Sequence, residues 1–172
     1  DKAIADYSEA IKIEPSNEIA FNNRGNAYSN MKEYDKAIAD YSEAIIIDSN
    51  YANAYNNRGT VYSKLKDYDK AISDYNESIK IDPYNENTLV NRGNAYLKLK
   101  EYEKAIADFT GAIKVNSYYA RAYNYRGNTY AIIKEYDKAL TDFDLAIQYS
   151  DNEDFISETN ASKEKVLEIM KK

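Results

Sequence analysis

The sequence predicts an all-α fold, a right-handed α-solenoid of 34-residue helix-turn-helix repeats, on three observations. One fragment recurs in phase, as NNRGNAY from Asn22, NNRGTVY from Asn56, VNRGNAY from Val90 and NYRGNTY from Asn124, each start 34 residues after the last. A second fragment keeps the same step, as YDKAIADYSEAI from Tyr34, YDKAISDYNESI from Tyr68, YEKAIADFTGAI from Tyr102 and YDKALTDFDLAI from Tyr136. Both halves carry helical spacing. Phe21, Arg24, Gly25 and Tyr28 fall at i, i+3, i+4 and i+7, and Ala37, Asp40, Tyr41 and Ala44 do the same.

Taken in order, the chain opens on an unpaired second half, DKAIADYSEAI, which reads as the second helix of a truncated repeat over 1–14. Complete units follow at 17–48, 51–82, 85–116 and 119–150, in one continuous domain. Breakers divide them at Pro15-Ser16-Asn17, Asp48-Ser49-Asn50, Asp82-Pro83-Tyr84-Asn85 and Asn116-Ser117. Shorter turns near Lys32, Lys66, Lys100 and Lys134 separate the paired helices. Residues 153–172 leave the pattern: Ser157 and Glu164 replace aromatics, while Phe155, Ile156, Thr159, Val166, Leu167 and Met170 keep one apolar stripe. That segment reads as a capping helix.

Composition narrows the function classes. With 44% hydrophobic and 30% charged residues, the 172-residue chain has apolar surface enough for a packed core. Nineteen Tyr and no Trp make much of that core amphipathic. A net charge of −6 opposes a nucleic-acid surface, which needs gathered Lys and Arg. No run approaches the roughly 18 apolar residues of a membrane span, so no direct membrane contact is expected. The absence of Cys, and of a signal-peptide pattern in this segment, favours the cytoplasm without fixing a location. Without His or Cys, chemistry would fall to carboxylates, Lys, Tyr and Ser, and acids such as Asp35 and Asp40 recur in every unit, as architecture does. Neither catalysis nor a cofactor is expected. Nor is a metal, since Asp82-Pro83-Tyr84-Asn85-Glu86 lacks the alternating acids and Gly of a calcium loop.

These residues resemble the tetratricopeptide repeat over roughly residues 1 to 150. Phe21, Tyr55, Leu89 and Tyr123 take its first bulky place, and Gly25, Gly59, Gly93 and Gly127 its glycine. Tyr28, Tyr62, Tyr96 and Tyr130 follow, then Ala37, Ala71, Ala105 and Ala139 at its small position. Where the family usually has Leu before the glycine, this chain has Arg24, Arg58, Arg92 and Arg126, an Arg-Gly variant of the repeat. A guanidinium inside a packing stripe needs a partner, and the acid placed once per unit in the opposing stripe is Asp40, Asp74, Asp108 or Asp142. Structural ion pairs are therefore expected; the alternative is an Arg row offering donors to a bound carboxylate. The glycine is expected where neighbouring helix backbones approach too closely for a Cβ.

Stacked hairpins expose their first helices on a concave face, the usual ligand surface of solenoids. Its expected lining is Asn22, Asn26 and Ser29, then Asn56, Thr60 and Ser63, then Val90, Asn94 and Leu97, then Asn124, Asn128 and Ala131. Asn23, Asn57 and Asn91 form a second row. The rows are similar to the asparagine ladders of some tetratricopeptide-repeat glycosyltransferases, a resemblance that implies recognition of a peptide main chain. The plainer alternative is that Asn is a frequent surface residue in this chain. Val90 and Leu97 make an apolar spot for one ligand side chain, and Tyr125 with Arg121 favours an acidic or aromatic group. The family's clamp for chaperone tails lands on Asn22, Asn26, Asn57, Asn87 and Asn91, losing its three cationic positions, so chaperone tails are disfavoured. The expected function is a protein–protein interaction scaffold that binds an extended peptide or partner protein. The alternative is a structural or self-associating segment of a larger protein, pairing through the N-terminal helix at Ile4, Tyr7 and Ile11, with any catalysis outside this chain.

Overall fold

The computed structural model describes residues 2–171; Asp1 and Lys172, which fall in the expected 1–14 and 153–172 segments, lie outside the described residues. Ten helices occur among the described residues. They divide into two compact units. Unit 1, Asp1–Pro83, holds α1 (Lys2–Ile13), α2 (Glu18–Asn30), α3 (Tyr34–Ile47), α4 (Ala52–Lys64) and α5 (Tyr68–Ile81). Unit 2, Tyr84–Lys172, holds α6 (Glu86–Lys98), α7 (Tyr102–Val115), α8 (Ala120–Ile132), α9 (Tyr136–Gln148) and α10 (Glu153–Met170). The division falls inside the Asp82-Pro83-Tyr84-Asn85 breaker of what the sequence suggests is one continuous domain.

Side-chain caps start several helices. Asn17, Asn85 and Asn152 accept from the amides of Ala20, Thr88 and Phe155 at 2.8, 3.0 and 2.8 Å, each cap contributing about 1 kcal/mol. The first helix of each hairpin ends on a lysine with left-handed backbone: Lys32, Lys66, Lys100 and Lys134 have φ of 61°, 65°, 63° and 66°. In the first hairpin the Lys32 amide reaches Ser29 O at 3.0 Å and the Glu33 amide reaches Tyr28 O at 2.9 Å, the paired bonds of a Schellman stop. The same bonds close the other three hairpins. Glycine is the usual residue at this position, and lysine here bears a cost of about 1 kcal/mol in steric strain.

Within each hairpin an aromatic ring of the second helix fills the space beside the glycine of the first. A Cβ on Gly25 would lie 2.8 Å from a Tyr41 ring carbon, and one on Gly93 2.6 Å from Phe109. The expectation that backbone alone crowds the glycine is thus corrected: the nearest atoms belong to the ring, with the Ala71 and Ala139 carbonyls a second neighbour at Gly59 and Gly127. Tyr41, Tyr75, Phe109 and Phe143 are buried to 1% exposure or less, each ring contributing about 2–3 kcal/mol. At the start of unit 1, Ile4, Tyr7 and Ile11 are half-buried, less open than the sequence suggests, because one side of α1 packs on α2. On α10, Thr159 and Val166 are buried while Met170, expected in the same stripe, is exposed. The helix therefore meets α9 and α8 along its first four turns, as far as Val166, and its end runs clear.

Candidate functional site

Each Arg of the Arg-Gly pair grips its hairpin's Asp with two parallel bonds. Arg24 Nε and Nη2 donate to Asp40 Oδ2 and Oδ1 at 2.8 and 2.7 Å. Arg58 meets Asp74 at 2.8 and 2.8 Å, Arg92 meets Asp108 at 2.8 and 2.6 Å, and Arg126 meets Asp142 at 2.8 and 2.8 Å. Three of these guanidinium groups also reach back one hairpin with Nη1, to Ser8 Oγ from Arg24, Ser42 Oγ from Arg58 and Thr110 Oγ1 from Arg126, at 3.1, 2.9 and 3.0 Å. The Asp bonds outweigh burial and hold Arg58 and Arg126 above the ordinary arginine value. Donors committed to three helices at once are not offered to a ligand. These pairs staple the stack.

The asparagine rows divide by position. Asn22 is buried, and its Oδ1 accepts from Asn57 Nδ2 at 3.0 Å. Three repeats further along, in unit 2, Asn124 Nδ2 donates to Thr159 Oγ1 at 2.8 Å. Asn22, Asn56, Val90 and Asn124 share one repeat position, and these bonds turn Asn22 toward α4 and Asn124 toward α10 within their own units. Two expectations are corrected by this: Asn22 is a seam residue, and Val90, at 1% exposure, is core and not a ligand anchor. Of the expected apolar spot only Leu97 remains, half-buried.

At the neighbouring position the two units differ. In unit 1 the Tyr41 hydroxyl donates to Asn26 Oδ1 at 2.8 Å, and the Tyr75 hydroxyl lies 3.4 Å from Thr60 Oγ1, which itself donates to Asn56 O. Burial pushes Tyr41 and Tyr75 up to about 12. Unit 2 carries Phe109 and Phe143 instead, with no hydroxyl to occupy Asn94 or Asn128. Asn128 spends Nδ2 on Asn124 at 2.9 and 3.0 Å and leaves Oδ1 open.

A recess of about 320 Å3 lies between α8 and α10 in unit 2, walled by Tyr125 and Phe155 and floored by Asn124, Asn128 and Thr159. Arg121 stands at its rim, 6.0 Å from the Tyr125 ring centroid, and forms no ion pair among the described residues. Tyr125 is held flat against Phe109, centroids 5.7 Å apart and planes at 19°. Glu158 and Ser162 complete the lining. In unit 1, Asn26, Asn57 and Thr60 border a second recess of about 370 Å3 with Lys64 at its edge. Asn91 is half-buried and already has an interaction partner.

The family described as tetratricopeptide repeat matches residues 19–51, 52–85 and 87–119, and a second pattern of the same repeat matches residues 1–32. This chain belongs to the tetratricopeptide-repeat family. No curated protein sequence matches it. Among solved structures it is similar to Pseudomonas aeruginosa pilF, with a TM-score of 0.83 at 22% identity over 94% of this chain and 74% of that one. It is similar also to YrrB, described as a TPR protein with an unusual peptide-binding site, with a TM-score of 0.75 at 24% identity over 96% and 89%. A third is the first TPR of Spaghetti (RPAP3), bound to the HSP90 peptide SRMEEVD, with a TM-score of 0.66 at 28% identity over 73% and 97%.

As a tetratricopeptide-repeat protein of the all-α solenoid class, the chain is a protein-interaction scaffold. Among its described residues no three His, Cys, Asp or Glu gather to hold a metal ion, and no helix is long and apolar enough to cross a membrane. Sequence reasoning missed the contribution of α10 to the recess: Phe155, Glu158 and Ser162 lie 34 residues beyond Arg121, Asn124 and Asn128, but their changed side chains hide the register. It also missed Lys163, which bonds Asp144 at 2.5 Å. Asp144 occupies the position of Ser42 and Thr110, and since α10 has Asn160 in place of the repeat arginine, a lysine from the next turn supplies the cation.

Proposed function

We propose that the chain holds an extended peptide along its first-helix face and seats an acidic side chain of that peptide in the recess between α8 and α10. The observation that carries this reading is Arg121, a cation at the mouth of an aromatic-walled recess that forms no ion pair among the described residues, although Glu158 shares the lining. Charge-assisted bonds to such a guanidinium contribute about 1.5–3 kcal/mol, while the open amide groups of Asn94 and Asn128 suit a peptide main chain, each amide offering a donor or an acceptor. Support comes from the RPAP3 domain, whose bound peptide is itself acidic. Over the first three units the cationic positions of the clamp for chaperone tails fall on Asn22, Asn87 and Asn91; one unit along, Asn91 and the charge of Arg121 survive.

An array of extended peptides graded in acidic content tests the reading. Binding should rise with Glu and Asp content, fall when each Glu is replaced by Gln, and weaken about tenfold or more in Arg121→Ala. Lys134→Ala, a change at an exposed turn, should leave it unaltered. Equal binding of Glu and Gln peptides, with no effect of Arg121→Ala, would refute it.

A further inference from the structure

Asn128 and Ser162, which border the Arg121 recess, also border a second groove of about 320 Å3 further along α8 and α10. Its chemistry is the reverse of the recess. Phe143 and Val166 line it and are buried in one cluster with Ala139, while Ile132 beside them is 51% exposed. The repeat position of that isoleucine holds Asn30, Lys64 and Lys98 in the first three repeats and turns apolar on α8 and α10, as Ile132 and Val166. Helix α8 has thus exchanged a hydrophilic residue for an aliphatic one where the fold leaves it half open to water. An exposed apolar patch rimmed by polar groups marks an interaction surface. Lys165 lines the same groove, exposed and without an ion pair among the described residues, whereas its neighbour Lys163 is held by Asp144. Unpaired cations therefore stand at both ends, Arg121 on the recess and Lys165 on the apolar groove, and they favour an acidic occupant for the whole length.

We infer that recess and groove read one acidic peptide, seating an acidic side chain beside Arg121 and a branched aliphatic side chain against Ile132, four positions apart. The inference rests on the assignment of an acidic side chain to the recess. The spacing follows from geometry. Helix α8 rises about 16 Å from Arg121 at the rim to Ile132, and about 12 Å from Asn124 on the recess floor to Ile132. An extended peptide advances about 3.3 Å per residue, so these limits correspond to about four to five residues. Side chains on one face of an extended chain are an even number apart, which leaves four.

The probes are fluorescein-labelled peptides of Gly-Ser background carrying one Glu and one Leu, separated by three, four or five positions in either order, and followed by anisotropy on the full chain. In at least one order the four-position probe should bind about tenfold more tightly than the other two, as burial of an aliphatic side chain predicts. Leu→Ser in that probe and Ile132→Asn in the protein should each remove the tenfold gain, and the two together little more, since they remove one contact. Ile132→Asn installs the side chain of Asn30 at an exposed position and should melt as wild type; the Leu→Ser arm reads the same contact without altering the protein. Arg121→Ala should instead abolish the preference for Glu over Gln and keep the preference for Leu. Affinity indifferent to Leu and to spacing, with the preference for Glu intact, overturns this inference and leaves the acidic reading of the recess standing. Loss of the preference for Glu in the wild-type chain overturns that reading and this one with it, as does the absence of saturable binding by any probe.

Discussion

Alkaline titration should unfold unit 1 before unit 2. Unit 1 buries two tyrosine rings, Tyr41 and Tyr75, at 1% exposure each, where unit 2 buries Phe109 and Phe143. Desolvation lifts both hydroxyls from the ordinary 10.0 to about 12. The folded value lies above the unfolded one, so the stability these groups contribute is complete below pH 10 and is lost as pH rises through about 12. At about 1.4 kcal/mol per pH unit, a rise across that window removes about 3 kcal/mol per ring and about 5–6 kcal/mol for both. That approaches the whole stability of a small domain, about 5–15 kcal/mol. Circular dichroism followed with tyrosinate absorbance would locate the transition, and amide exchange would assign it to a unit. The double variant Tyr41→Phe/Tyr75→Phe should sacrifice about 1 kcal/mol per lost hydroxyl bond at neutral pH and gain a higher alkaline midpoint. An alkaline midpoint shared by wild type and double variant, or unit 2 opening first, would refute the reasoning.

Three further outcomes are expected. Asp74→Ala strands the Arg58 guanidinium with Ser42 as its remaining bonded partner and should cost about 3–5 kcal/mol, read as a lowered melting temperature; near-wild-type melting would make the pair dispensable. Gly111→Ala should stabilise by about 0.5–1 kcal/mol, since its Cβ would lie an ordinary 3.6 Å from Leu89, whereas Gly93→Ala, with a Cβ 2.6 Å from Phe109, should destabilise; denaturant unfolding that moves both variants the same way would contradict this. Lys66→Gly relieves a left-handed lysine at φ 65° and, after the entropy that glycine adds to the unfolded chain, should gain about 0.5 kcal/mol in the same assay.

What the sequence made legible depended on how many residues a feature needs. Hairpins follow from period and spacing alone, because each helix declares its stripe locally and the Lys32-type turns sit where the stripes break. The pairing of Arg24 with Asp40 was also readable, since within one hairpin only one acid recurs opposite that arginine. The direction of Asn22 was not. Seam and groove positions lie less than half a turn apart on the same helix, and only the placement of the next first helix, which brings Asn57 to 3.0 Å, separates them. The third bond of Arg24, Arg58 and Arg126 stayed hidden for a like reason, because Ser8, Ser42 and Thr110 belong to the hairpin before and look like ordinary surface hydroxyls in a period.

Repetition also sorts architecture from recognition in this chain. Where a polar group recurs in every unit, the fold has used it: Asp40, Asp74, Asp108 and Asp142 each hold a guanidinium. Departures from the period are freed of that duty. Phe109 and Phe143 lack the hydroxyl that occupies Asn26 in unit 1, Arg121 stands where the other units have Ile19, Asn53 and Asn87, and α10 carries Phe155 and Glu158 at the repeat positions of Arg121 and Asn124. These departures fall together around one recess in unit 2. A scaffold built from near-identical parts can distinguish one ligand segment from another only where its parts differ, and that is why recognition is assigned to the α8–α10 end of unit 2 and not to the asparagine rows at large.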